Sequence, residues 1–164
     1  MNLLAYIIFI FLALATTLLD TSFFSFLEIY YATILTSLAF LISFSILNLK
    51  KGAIIYAAFL TLFFAIFSSL PVWYLICLFF GIPLIIFAVR FRLAIDRSRL
   101  LLILTFLIAN LLFQLSLAVA SLDFSKYAFI SIVSFTVINT LAGLIIYFIT
   151  KKIINILSRM LNKF

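Results

Sequence analysis

The sequence predicts an all-α, polytopic integral membrane protein with six transmembrane helices, both termini on the cytoplasmic side, and a C-terminal amphipathic cytoplasmic helix. Two observations lead there. The chain has 164 residues, of which 69% are hydrophobic and 9% charged, against roughly 25% charge in a soluble domain. A soluble fold of this size leaves about a third of its chain surface exposed and could not hide so much apolar area, while disorder requires low hydrophobicity. Second, the eleven basic and four acidic residues punctuate long neutral runs, at 1–19, 29–49, 52–89, 100–122 and 127–150. A crossing helix needs about 20 apolar residues. Strands of a barrel would alternate apolar with polar residues, and these runs are apolar all round.

The first run predicts a span over about 2–19. It has no basic n-region and no small-x-small site before Asp20, so it reads as a retained span rather than a cleavable signal. The first outer turn, DTSFFSFLEI, is apolar for a loop, and Phe23, Phe24, Phe26 and Leu27 are candidate contacts in the membrane interface or for another membrane protein. The second span is expected over about 30–49. The run 52–89 suits two helices, about 53–69 and 72–89, because Ser68, Ser69 and Pro71 mark its middle and proline disfavours helix at the residue before it. Gly81 and Pro83 interrupt the fourth span and are expected to kink it. The single cysteine, Cys77, lies within this apolar run and is expected to be a buried structural thiol. The fifth and sixth spans are expected over about 100–121 and 128–150. Residues 1–150 thus form a single transmembrane domain, and 151–164 form a basic tail.

The basic residues orient the bundle. With the N-terminus inside and six spans, Lys50, Lys51, Arg90, Arg92, Arg97, Arg99, Lys151, Lys152, Arg159 and Lys163 all fall on the cytoplasmic side, and Lys126 alone falls outside. A cytoplasmic excess of Lys and Arg is the expected bias. In the tail, Ile153, Ile154, Leu157, Met160, Leu161 and Phe164 repeat at helical spacing beside Lys152, Asn155, Arg159 and Lys163. That pattern suits a helix on an anionic membrane surface, with a groove on a cytoplasmic partner as the rival. The loop from Arg90 to Arg99 is expected to anchor under phospholipid headgroups or to meet an acidic partner.

Chemistry is sparse. With no histidine, one cysteine and four carboxylates, neither a zinc site nor a hydrolytic triad can be assembled from the usual residues. We expect no enzyme activity, no metal and no cofactor. The predicted spans hold no Asp, Glu, Lys or Arg, which argues against a proton-coupled transporter. Basic charge divided among short loops does not suit nucleic acid. Asn110 and Gln114, four apart, share a helix face, and Asn139 lies near the middle of the sixth span. They are candidates for an interhelical clamp or a ligand-lining patch.

The layout resembles the rod-shape-determining MreD family of small bacterial inner-membrane proteins. The likeness is carried by LDTSFFSFLEI (residues 19–29), LKKGAII (49–55), IFSSLP (66–71), IDRSR (95–99) and INTLAGLIIYFITKK (138–152), in order over nearly the whole chain. The chain departs from the family pattern at Ala65, Ser69, Trp73 and Leu35-Thr36. The resemblance implies a non-enzymatic subunit of the cell-wall elongation machinery, in the inner membrane, with partners such as an MreC-like scaffold and the RodA/class B penicillin-binding protein pair. It also implies a fold similar to the six-helix substrate-binding subunits of energy-coupling-factor transporters. A vitamin-type substrate-binding subunit is therefore the alternative, and a generic accessory subunit of a membrane complex the third.

Overall fold

The computed structural model describes residues 3–23, 32–68, 70–92, 98–122 and 125–161, with side chains described throughout except at 3–5, 91–92 and 156–161. Most of the described residues are helical. The order is α1 (Leu3–Leu18), a π-helical turn (Leu19–Phe23), α2 (Thr36–Ile46), α3 (Lys50–Phe67), α4 (Val72–Arg92), α5 (Arg99–Ser121) and α6 (Lys126–Leu161). Five helical segments are long and apolar enough to cross a membrane: Tyr6–Phe23, Lys50–Phe67, Val72–Arg90, Arg99–Ser121 and Lys126–Asn155. The chain is thus a multi-pass membrane protein by length and composition of its helices.

Side-chain contacts fix the helix directions. Phe9 meets Gly52 and Thr16 meets Tyr56, so α1 and α3 run parallel. Phe64 packs on Phe79 and Phe79 on Phe113, while Phe113 stacks on Phe135 and Phe106 lies against Tyr147. Lys50 and Phe87 line one groove beyond the Phe64–Phe79 contact, and Tyr74 bonds Ser116 while Val89 and Thr105 line one pocket, so successive helices from α3 to α6 alternate in direction. Lys50, Lys51, Arg90, Arg99, Lys151 and Lys152 gather at one end, which we call the basic end. Trp73, Leu122 and Tyr127 mark the other.

The second helix departs most from expectation. α2 has 11 residues, about 16 Å at 1.5 Å per residue, where the neutral run predicts a full span over 30–49. It is also the centre of the bundle. Nine of its residues are buried, and it touches α1, α3, α4, α5 and α6. A helix apolar all round belongs in such a place. Its C-terminus is closed by a Schellman motif. Asn48 takes a left-handed conformation (φ 63°), its N–H donates to the Ser45 carbonyl, and the Leu49 N–H donates to the Phe44 carbonyl. Asparagine is one of the few residues that tolerate this conformation.

Two further elements differ from the sequence reading. α4 runs as one helix from Val72 to Arg92 with Pro83 inside it, so Gly81 and Pro83 do not break it into two. Cys77 is exposed on the outer surface of α4, not buried, because the helix turns Leu75, Leu78 and Phe79 into the core. α6 continues through 150 and 151 to Leu161, giving 36 residues in one helix. That is about 54 Å, far more than a bilayer core of ~30 Å requires. The basic tail prolongs the last span, with no proline or glycine at the junction to redirect it.

Candidate functional site

One cluster of polar groups in the core gathers where the extended segment 32–35 leads into α2. Each backbone N–H in hydrocarbon must find a partner within the protein, and the first turn of a helix offers its N–H groups to none of its own carbonyls. Asp20 supplies the acceptors. Its Oδ1 accepts from the Thr36 N–H (2.8 Å) and from Thr36 Oγ1 (2.7 Å), and its Oδ2 accepts from the Ser37 N–H (2.9 Å). The carboxylate also sits at the positive end of the α2 dipole. The π-helical turn delivers it by carrying α1 past Leu18 to Phe23.

Asn139 holds the extended segment itself. Its Oδ1 accepts from the Leu35 N–H (2.7 Å), and its Nδ2 donates to the Thr33 carbonyl (2.8 Å) and the Phe135 carbonyl (3.1 Å). One side-chain amide thereby pairs with a backbone N–H and a backbone C=O two residues apart, as a neighbouring strand would. Asn139 is 13 residues from Lys126 and 12 from Lys151. At 1.5 Å per residue it lies about 18–20 Å from either basic position, so this junction sits at mid-depth. A third contact closes it: the Tyr56 hydroxyl lies between Thr16 Oγ1 (2.7 Å) and the Ser37 carbonyl (3.3 Å).

Asp20 is therefore not an outer-loop charge. It is 6% exposed within an apolar helical segment that runs to Phe23. This overturns the premise that the spans lack ionisable groups, and the argument drawn from it against proton coupling falls with it. The sequence reading also missed Thr16, Thr36, Ser37 and Tyr56. In the structure the Thr17 and Thr21 hydroxyls bond back to carbonyls four residues earlier, as a continuing helix demands, but nothing in the local sequence announces it.

The remaining candidates fall elsewhere. Asn110 Nδ2 donates to Thr140 Oγ1 (3.4 Å), and Gln114 Nε2 donates to Ser131 Oγ (3.1 Å), both between α5 and α6. Asn110 and Asn139 are each 1% exposed. The three amides thus make three separate ties, not one patch. Of the basic candidates, Arg99 and Lys152 are exposed, and Arg90 and Lys151 are partly buried. Lys151 Nζ lies 5.7 Å from the centre of the Tyr147 ring, within cation–π range. Phe23 is 59% exposed. Phe24, Phe26, Leu27, Arg97 and Lys163 lie outside the described residues, as do the side chains of Arg92 and Arg159.

A cavity of about 520 Å³ opens at the end opposite the basic residues, between α4, α5 and α6. Pro71, Trp73, Tyr74, Gln114, Tyr127 and Ser131 contribute to its wall. Tyr74 Oη donates to Ser116 Oγ (3.0 Å) behind it. Its size falls within the usual range for small-molecule sites, about 300–1,000 Å³. Gln114 is the one predicted amide that reaches it. Among the described residues no group of three or more His, Cys, Asp or Glu could hold a metal ion.

Comparison with known proteins adds no relative: no family model, no curated protein and no solved structure matches the chain.

Proposed function

We propose that the chain is a non-enzymatic membrane scaffold resembling MreD, working in the cell-wall elongation machinery of a bacterial inner membrane. It would cross six times, with both termini in the cytoplasm. The parallel course of α1 and α3 supports this topology, since two parallel crossings in one chain require a return between them, where α2 lies. The observation that carries the functional reading is where the polar side chains go. Asp20, Asn110, Gln114 and Asn139 are all engaged with other parts of the same chain. What the bundle presents outward is apolar helix surface and a basic end, which suits contact with other membrane proteins rather than chemistry on a substrate. The test is affinity purification of the tagged chain from its native membranes in mild detergent. Recovery of an MreC-like scaffold or a RodA/penicillin-binding-protein pair supports the reading. A preparation containing neither, from cells that express both, counts against it.

The cavity at the far end favours a second reading, a binder of a small, mostly apolar molecule. Aromatic rings with one side-chain amide and a few hydroxyls suit such a ligand. Native mass spectrometry of the gently purified chain checks this. A retained small molecule that is lost in Gln114→Leu and Trp73→Ala would place the ligand there, and retention unchanged in both would exclude that cavity.

A further inference from the structure

Two grooves meet at one lysine at the basic end. The larger, of about 370 Å³, runs between α3 and α4. Ala53 and Ala57 form its floor, and Phe80, Pro83 and Phe87 form its wall. The small residues on α3 are what open it, because a longer side chain at 53 or 57 would fill the space between the helices. From Phe80 to Phe87 is seven residues, so the wall extends about 10 Å along the helix axis. The smaller groove, of about 280 Å³, lies on the other flank of α3 between Phe9 and the turn at Asn48 and Leu49. Lys50 borders both.

Among the described residues the charge around this point is of one sign. Lys50 and Lys51 open α3, which has no acidic residue in its first turn, so two cations sit at the end of the helix that already carries positive potential. Arg90 lies one turn beyond Phe87 on α4. Among the described residues the sole carboxylate is Asp20, which is at mid-depth and bonded to α2. An apolar cleft on either side of an exposed pair of lysines, at the start of an apolar helix long enough to cross a membrane, has the form of an anionic diacyl lipid: a phosphate over the lysines and a chain in each cleft.

We propose that this junction is a binding site for one anionic phospholipid, with the headgroup phosphate on Lys50 and Lys51 and an acyl chain in the α3–α4 groove. The site is independent of the scaffold reading and of which side of the membrane the basic end faces.

The experiment uses the full chain, purified and delipidated in detergent, then offered dioleoylphosphatidylglycerol, dioleoylphosphatidylcholine or inorganic phosphate. Native mass spectrometry reads the lipid retained. One phosphatidylglycerol should be retained at least tenfold more tightly than phosphatidylcholine. The double variant Lys50→Gln/Lys51→Gln should abolish that preference, and Lys126→Gln, at the far end, should leave it intact. Leu84→Trp fills the groove from its lipid-facing side, where Leu84 is 65% exposed and the fold does not depend on it. It should weaken retention with both lysines still present. Equal retention of the two lipids by the unmodified chain overturns the proposal. So does unchanged preference in the lysine variant, or full retention in Leu84→Trp. Stabilisation by inorganic phosphate equal to that by phosphatidylglycerol would reduce the site to an anion contact and overturn the acyl-chain part.

Discussion

Asp20 accepts from three donors on Thr36 and Ser37, and each variant at this position removes a different subset. In Asp20→Asn, the remaining carbonyl oxygen can keep both Thr36 donors, but the new NH2 faces the Ser37 N–H. In Asp20→Ala, two buried backbone N–H groups lose their acceptors, each a penalty of about 1–3 kcal/mol. The expected order of thermal stability in detergent is therefore native above Asn above Ala. Equal melting temperatures for all three would mean that the carboxylate does not cap α2. Asn139→Leu should be as damaging as Asp20→Ala, since the Leu35 N–H and the Thr33 carbonyl both lose their partner. These two residues also show what can be read from a sequence. Asn139 stands out as a polar residue mid-span, but its partners lie 104 and 106 positions away and no local spacing reveals them. Asp20 ends a neutral run, so it reads as the outer boundary of a span. Only the π-helical turn shows the helix continuing past it.

At the scale of the element, glycines and helix ends separate tight places from loose ones. A Cβ on Gly143 would come within 2.5 Å of the Phe106 ring, and Phe106 is fully buried. Gly143→Ala should cost about 1–3 kcal/mol as an overpacking change. Gly81 has open space where its Cβ would go, so Gly81→Ala should be neutral or stabilise α4 by up to ~1 kcal/mol through helix propensity. Leu122 ends α5 in a left-handed conformation (φ 53°) while 80% exposed. A non-glycine residue pays about 1 kcal/mol there, and Leu122→Gly should raise stability by that order. Detergent unfolding of the three variants checks these signs together. Helix content was legible because neutral runs of 20 or more residues leave a membrane chain little alternative. The length of α2 was not, since a neutral run has the same composition whether it is helical throughout or non-helical over 32–35.

At the scale of the molecule, the alternating helices predict which positions share a side. Single cysteines placed at Lys51 and Lys152 in a Cys77→Ser background should be labelled by a membrane-impermeant maleimide from the same side. A cysteine at Trp73 should be labelled from the other. Labelling of 51 and 152 from opposite sides would refute the alternation. The basic residues alone suggested the common end, because charge placement does not depend on the details of packing. The separation of the polar residues into a mid-depth junction, two α5–α6 ties and a far-end cavity could not be read that way. It depends on which helices are neighbours, and helices apolar on every face do not announce their neighbours.

The clamp from Asn139 to the segment before α2 also has a consequence for how the chain is made. An 11-residue helix is too short to be stable alone in a bilayer, and the groups that satisfy its entry include one on α6, made 104 residues after Leu35. Until α6 arrives, the Leu35 N–H and the Thr33 carbonyl remain open in an otherwise apolar chain. Nascent chains stalled before residue 139 should then be substrates for membrane quality-control proteolysis, whereas chains stalled after α6 has emerged should survive. Synthesis of the sixth helix is, on this view, the step that commits the second to its place.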